Sequence, residues 1–382
     1  MKYVYDRNMS VENPIISDRI VWHNVFEEGF DVYGFDGSNQ EFLSRRIPLQ
    51  IAEAISEGVL RQCGFAAGGR VRFFTNSIFI AIKAEFAAGY HGTCLSACAA
   101  YGLDLYKLGE DGRETYLHTY RPTQNEINYS VFQSVLDRNT NPDNDKATLG
   151  MYYTLYMPSF SEVKRLCIGL DKDSIIAAGK PYMNDKPVIF YGSSITHGAA
   201  ASRPGNTYEA FISQKFNLDY VNLGFAGNAK GEREMAEYIA GRDMSLFVCD
   251  YDYNAPTPEY LQATHYRFYE IIRKKHSEIP YVMMTRPNFR QIPSKNAIRR
   301  DIIRESYERA KALGDDKVYF IDGEDLFAGE YCMSCTVDGA HPNDLGFYRM
   351  ADVIGKYLKV GHISLELVNS HNSSIVYFCT KS

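Results

Sequence analysis

Apolar residues in the first part of the chain recur at every second position. Ile78, Ile80, Ile82, Ala84 and Phe86 fall on one face of a strand, with Phe79, Ala81, Lys83 and Glu85 on the other. Thr75, Asn76 and Ser77 supply turn chemistry between that strand and an apolar stretch at 71–74. Further strands are predicted near 115–120, 129–136, 150–157 and 163–169. One helical stretch interrupts them, with Pro48 near its first turn and Ile51, Ile55 and Val59 at four-residue spacing. Short strands separated by turns predict a β-sandwich or jelly roll over residues 1–180.

From about Lys186 the rhythm becomes apolar strand, small-residue loop, helix, repeated several times. Strands are predicted at 188–191, 220–223, 246–250, 281–284 and 318–321. The intervening stripes include Leu261, Phe268, Ile271 and Ile272, then Ile298, Ile302 and Ile303 after Ser294. A last helix carries Phe347, Met350, Ala351, Ile354 and Leu358 on one face. Continuously apolar strands alternating with helices predict an α/β domain over 186–361, its parallel sheet covered on both sides. Such sheets bind ligands at the carboxyl ends of their strands. The tail, 362–382, alternates again at Ile363, Leu365 and Leu367 and predicts strands returning to the first domain.

Composition narrows the function. The 382 residues are enough for two domains, and 45% hydrophobic with 23% charged residues excludes disorder as the main theme. A formal charge of −6 argues against a nucleic-acid partner. No run reaches the roughly 20 apolar residues of a membrane span, and no apolar stretch resembling a signal peptide follows Lys2 and Asp6. The chain reads as cytoplasmic unless a leader has been trimmed. Eight cysteines are too sparse for a disulfide framework, and the CxxC at Cys332 and Cys335 has no second pair to complete a zinc site. No metal or cofactor is expected. Most of the 29 tyrosines read as packing residues; a substrate contact by Trp22 and the oligomeric state stay open.

The first loop of the second half reads Gly192-Ser193-Ser194-Ile195-Thr196-His197-Gly198. A serine at a strand end projects its hydroxyl into the crevice beside backbone amides, a nucleophile's position. Serine needs a base, and the base needs a group to fix its tautomer. Asp338-Gly339-Ala340-His341-Pro342 offers both in one short loop before the last helix, in the order Ser, Asp, His used on α/β sheets. Two further strand-end loops offer oxyanion donors: Gly227, in the stretch from Asn222 to Asn228, and the Asn254 amide after Asp252 and Tyr253. Each residue has a plainer reading. The serines can cap a helix, Gly227 can be an ordinary loop residue, and Asp338 a helix-terminal charge. His197 is either a substrate contact or a packed histidine; Arg286 either lines the crevice or forms a surface ion pair.

This constellation resembles the SGNH or GDSL hydrolase superfamily over roughly residues 186–360. Carried over by position, the resemblance implies Ser194 as nucleophile and Asp338 and His341 as its triad partners. It implies Gly227, Asn254 and the Ser194 amide as the oxyanion hole. The first block looks like the GxSxHG variant, with Ser193 where GDSL has Asp. In the third block Asp252 and Ala255 stand where the GxND pattern has Gly and Asp. Upstream, Tyr101-Gly102-Leu103-Asp104-Leu105-Tyr106 is similar to the GxDLY motif of a β-rich module that precedes this hydrolase type in bacterial proteins. Membership implies a three-layer α/β/α domain with a small parallel sheet, a jelly-roll-like companion, and esterase chemistry that often removes acetyl groups from carbohydrates. The expected partner is a small-molecule or oligosaccharide ester. An acyltransferase or thioesterase using the same triad is the alternative within enzymology, and an inactive carbohydrate-binding protein is the alternative outside it.

Overall fold

The computed structural model describes residues 18–36, 45–90, 92–121, 131–137, 150–287 and 292–358. The strands expected in the tail lie outside the described residues. Two antiparallel sheets come first. One is ordered β1 (Ile20–Asn24), β9 (Ser161–Asp171), β4 (Phe79–Gly89), β7 (Val131–Asp137). The other is ordered β10 (Ile176–Ala178), β3 (Arg70–Thr75), β8 (Met151–Tyr156), β5 (Leu103–Leu108), β6 (Glu114–Tyr120), with β2 (Asp31–Tyr33) also pairing β3. They pack face to face because alternation gives each an apolar side. Ile80, Ile82, Ala84 and Phe86 of β4 share one core with Val71, Phe73, Leu103, Leu105 and Leu155 of the second sheet. Ile78 departs from the expected stripe: it precedes the strand and is exposed.

The second half is a parallel sheet ordered β12 (Tyr220–Gly224), β11 (Val188–Gly192), β13 (Leu246–Asp250), β14 (Tyr281–Met284), β15 (Val318–Ile321). Alternate residues enter separate cores. Ile189, Tyr191, Phe247, Cys249 and Met283 face one layer, and Val188, Phe190, Val248, Val282 and Met284 the other. The first layer holds α6 (Arg233–Ala240), α7 (Pro258–Lys275) and α8 (Pro293–Ala312); the second holds α4 (Ser194–His197), α5 (Tyr208–Phe216), α9 (Gly323–Leu326) and α10 (Asp344–Leu358). This is the three-layer α/β/α arrangement. The stripe expected on α8 is only partly buried: Ile303 is in the core, whereas Ile298 is exposed. A short α3 (Ala97–Tyr101) lies just before the Asp104 strand. Among the described residues no helix is long and apolar enough to cross a membrane.

The single helix expected around Pro48 is two, α1 (Leu49–Ile55) and α2 (Glu57–Gln62). Ser56 separates them, its backbone extended and its hydroxyl accepting the Val59 amide as an N-cap. Neither belongs to the sandwich core. Ile47, Ala52 and Val59 are buried with Ile189, Val221 and Met235 in the first layer of the parallel sheet. The same segment closes a sheet edge. β12 is a border strand, yet every residue of it is buried. Arg70 donates to Tyr220 O at 3.0 Å, and Arg46 to Asn222 O at 3.2 Å and Gly224 O at 2.7 Å. These guanidinium groups satisfy the row of carbonyls that an open edge would present to another strand. Arg70 also bonds the Asp219 carboxylate at 2.5 Å and lies 3.9 Å over the Tyr220 ring.

The GxDLY residues form a second clasp. Asp104 is fully buried and accepts from Gly205 N at 2.7 Å, Arg203 Nη1 at 3.1 Å and Thr119 Oγ1 at 2.6 Å. Tyr106 Oη receives Arg203 Nη1 at 2.5 Å and donates to Gly205 O at 3.3 Å. The motif thus grips the 203–205 loop of the parallel-sheet domain by backbone and side chain.

Candidate active site

β11 delivers Ser194 to the carboxyl edge of the sheet as the first residue of α4. Ser193 is the N-cap, its hydroxyl accepting the Ile195 amide at 3.2 Å, so the capping role falls to one serine and the other is left to point outward. Ser194 Oγ lies 2.9 Å from His341 Nε2, and His341 Nδ1 lies 2.7 Å from Asp338 Oδ2. The sequence separation of 147 residues is closed by the turn before α10. That turn is held by Asp338 Oδ1, which accepts Ala340 N at 2.9 Å and His341 N at 2.8 Å. Partial burial opposes ionisation of Asp338, but the His341 amide, its imidazole and the Ala340 amide outweigh it and pull the carboxyl down to about 2. An ionised Asp338 keeps the proton on Nδ1 and leaves Nε2 able to accept from the Ser194 hydroxyl.

The two other loops meet the Ser194 loop through the backbone. Phe225 N donates to Gly192 O at 3.0 Å, and Ser193 N donates to Asp250 O at 3.0 Å. Gly227 has φ +72° and a Cβ there would face open space, so the left-handed turn favours glycine for its backbone and leaves its face uncovered. Asn254 Nδ2 donates to Phe225 O at 3.0 Å, which ties the third block to the second and leaves the amide's other hydrogen for a ligand. Asp252 fixes that block, since Arg286 and Arg299 both bond its carboxylate, at 3.1 and 3.2 Å from Oδ1.

Of the two readings left open for His197 and for Arg286, this geometry goes against substrate contact. His197 is fully buried, with Nε2 donating to Ser159 O at 2.9 Å, Nδ1 accepting Ala226 N at 3.4 Å, and its ring stacked 4.2 Å from Phe160. Both nitrogens are used inside the chain. Arg286 turns its guanidinium to Asp252 and lies 4.2 Å over the Tyr253 ring, bracing the Asn254 turn from behind. The sequence reading missed Gln62, which donates to Ala226 O at 2.9 Å, and Asn228, which donates to the same oxygen at 2.7 Å. Asn228 lay inside a loop already singled out; for Gln62, on a distant helix, the sequence carried no signal. Cys332 and Cys335 are free thiols, and among the described residues no group of three His, Cys, Asp or Glu side chains is placed to hold a metal ion.

Residues 185–359 match the GDSL-like Lipase/Acylhydrolase family, and residues 20–176 match the N-terminus of Esterase_SGNH_hydro-type proteins. The chain is an SGNH-type GDSL hydrolase. As a member of that family it is an ester-hydrolysing enzyme. A Bacteroides ovatus protein classed as a GDSL-like lipase is 29% identical, with a TM-score of 0.77 over 89% of this hydrolase and 98% of that chain. The salicylyl-acyltransferase SsfX3 from a tetracycline biosynthetic pathway is 18% identical, with a TM-score of 0.72 over 90% and 98%. An acetyl xylan esterase from the rumen bacterium Butyrivibrio proteoclasticus is 13% identical, with a TM-score of 0.53 over 89% and 98%. At those last two identities the likeness is one of fold. No curated protein matches the hydrolase.

Proposed function

We propose that this hydrolase removes small acyl groups, acetyl foremost, from carbohydrate esters through an acyl-enzyme on Ser194. The observation that carries the reading is the chain of hydrogen bonds from Ser194 Oγ to His341 Nε2 and from His341 Nδ1 to Asp338. His341 takes the Ser194 proton as the hydroxyl attacks the ester carbonyl, and Asp338 stabilises the imidazolium. The oxyanion receives hydrogen bonds from the amides of Ser194 and Gly227 and from the Asn254 side chain. The imidazolium then protonates the departing alcohol, and water repeats the sequence to release the acid. As the first residue of α4, Ser194 has an amide with no helical carbonyl to bond, which suits an oxyanion donor. The acetyl xylan esterase, alike over the length of both chains, supports a sugar-borne acetyl as the substrate class.

Acetate release from acetylated oligosaccharides and from a chromogenic acetate ester tests the assignment. Ser194→Ala and His341→Ala abolish release, and Asn254→Ala lowers kcat by about 2.7–4 kcal/mol of barrier with little change in KM. Undiminished release by Ser194→Ala rejects the reading. A second outcome for the same acyl-enzyme is transfer to an alcohol, favoured by the closer fold match to SsfX3. Product partition between water and added sugar or alcohol acceptors separates hydrolysis from transfer.

A further inference from the structure

We infer that Gln62, from the N-terminal half of the chain, is a positioning residue for the oxyanion hole, holding the peptide whose N–H is the Gly227 donor. The inference rests on the esterase reading above. Ala226 C=O and Gly227 N–H belong to one planar peptide unit, so whatever fixes the carbonyl also aims the N–H. That carbonyl accepts from Gln62 Nε2 at 2.9 Å and from Asn228 Nδ2 at 2.7 Å. Two donors on a carbonyl draw charge from the amide nitrogen and make its N–H a stronger donor. The neighbouring peptides are clamped as well: Gly224 O by Arg46 at 2.7 Å, Phe225 O by Asn254 at 3.0 Å, and Ala226 N by His197 at 3.4 Å.

Gln62 reaches the loop because α2 lies directly on it. A Cβ at Gly58, one turn before Gln62, would meet the Asn228 carboxamide, so glycine there lets the helix approach without displacing that side chain. Arg46 adds a face contact, its guanidinium 4.7 Å over the Phe225 ring. The wall behind the oxyanion loop is therefore built from residues 46–62, outside the 185–359 stretch that matches the hydrolase family.

The test replaces Gln62 by Met, close in shape but unable to donate, and by Glu, which donates only while protonated. Removing an oxyanion donor outright costs about 100- to 1,000-fold in kcat, so loosening one is expected to cost about tenfold in Gln62→Met, with KM within about twofold. In Gln62→Glu the activity relative to wild type falls as pH rises through the carboxylate range, because the ionised side chain repels the Ala226 carbonyl. The Gln62→Met ratio stays flat with pH. Wild-type kcat in Gln62→Met overturns the inference, as does a kcat loss that tracks a rise in KM and a fall in melting temperature without the Glu-specific pH dependence. Inactive Ser194→Ala beside fully active Gln62→Met sinks this inference alone; active Ser194→Ala sinks the esterase assignment.

Discussion

Two aspartates flank the Ser194 helix, and their surroundings drive them in opposite directions. Asp338, in front, is about a third exposed, accepts two amides and an imidazole, and stays ionised, its carboxyl pulled down to about 2. Asp250, behind, is fully buried; its Oδ2 accepts Thr196 Oγ1 at 3.3 Å and its Oδ1 has no donor among the described residues. Burial, reinforced by Asp252, pushes it well above the ordinary carboxylate value. Glu209, also behind, is buried and raised chiefly by desolvation. Hydrogen bonds to the charged form thus hold one carboxyl near Ser194 ionised, whereas at the other two burial outweighs the bonds they accept and favours the protonated form.

The largest expected effect breaks the front. Asp338→Asn keeps the shape but offers the imidazole the wrong tautomer, and kcat on a chromogenic acetate ester should fall by roughly 10,000-fold, the scale known for serine triads. Steady-state rates at pH 7 check it. A loss under about tenfold would place Asp338 with the structural carboxyls.

The next largest effect falls on the back wall. Arg46 is fully buried and donates to backbone carbonyls; burial pulls it down to about 9, still cationic at neutral pH. Its guanidinium serves Asn222 O, Gly224 O and Gln62 O. Arg46→Met strands Asn222 O and Gly224 O, whereas Gln62 O keeps its bond from Phe65 N, and urea unfolding should show about 3 kcal/mol less stability, at 1–3 kcal/mol per unpaired buried group. Because the same carbonyl row borders the loop of Gly227, the oxyanion donor proposed above, kcat should fall with it.

This contrast was unequally legible in the sequence. The five parallel strands were read almost to the residue, because strands buried on both faces are continuously apolar: 246–250, 281–284 and 318–321 coincide with β13, β14 and β15. The motif loops at Ser194 and Asp338 were equally visible, since each keeps its own residues within a few positions, as Asp338 and His341 are, although the two loops lie 147 residues apart at Ser194 and His341. What the sequence did not reveal were contacts made across the chain. The order in which strands pair leaves no local trace, so nothing announced β12 as an edge needing arginines from residues 46 and 70. The helix around Pro48 was visible as a period of apolar residues, but which core it would enter was not. His197 and Arg286 were left undecided for a related reason: adjacency to a motif says nothing of which way a side chain turns, and both turn inward.

pH sharpens the comparison further. Asp338 has a folded value below the unfolded 3.8, so the stability it contributes is present above 3.8 and is lost as pH falls towards 2. Asp250 and Glu209 act in the opposite sense. Their folded values lie above 3.8 and 4.5, so the native state keeps protons that the unfolded chain releases, and stability declines as pH rises from there towards the folded values. Asp250→Asn removes one of those protons from the balance. Its unfolding free energy should therefore decline less than that of wild type between about pH 5 and pH 8, measured by urea titration at each pH. A decline as steep as that of wild type would mean that Asp250 is ionised in the native state over that range.

The smallest expected effect is on catalysis by that same variant, and it separates the two aspartates most cleanly. A protonated carboxyl and a carboxamide present nearly the same shape, each with one carbonyl oxygen and donors on the other arm. Thr196 Oγ1 can keep its bond to the oxygen of the introduced carboxamide, and the backbone bond from Ser193 N to residue 250 O involves no side chain. Neither change reaches Ser194 Oγ or His341, so kcat in Asp250→Asn should stay within about threefold of wild type, against roughly 10,000-fold for the same substitution at Asp338. A loss near that scale at both positions would mean that the buried carboxylate supplies charge to the reaction, and the division between front and back would fall.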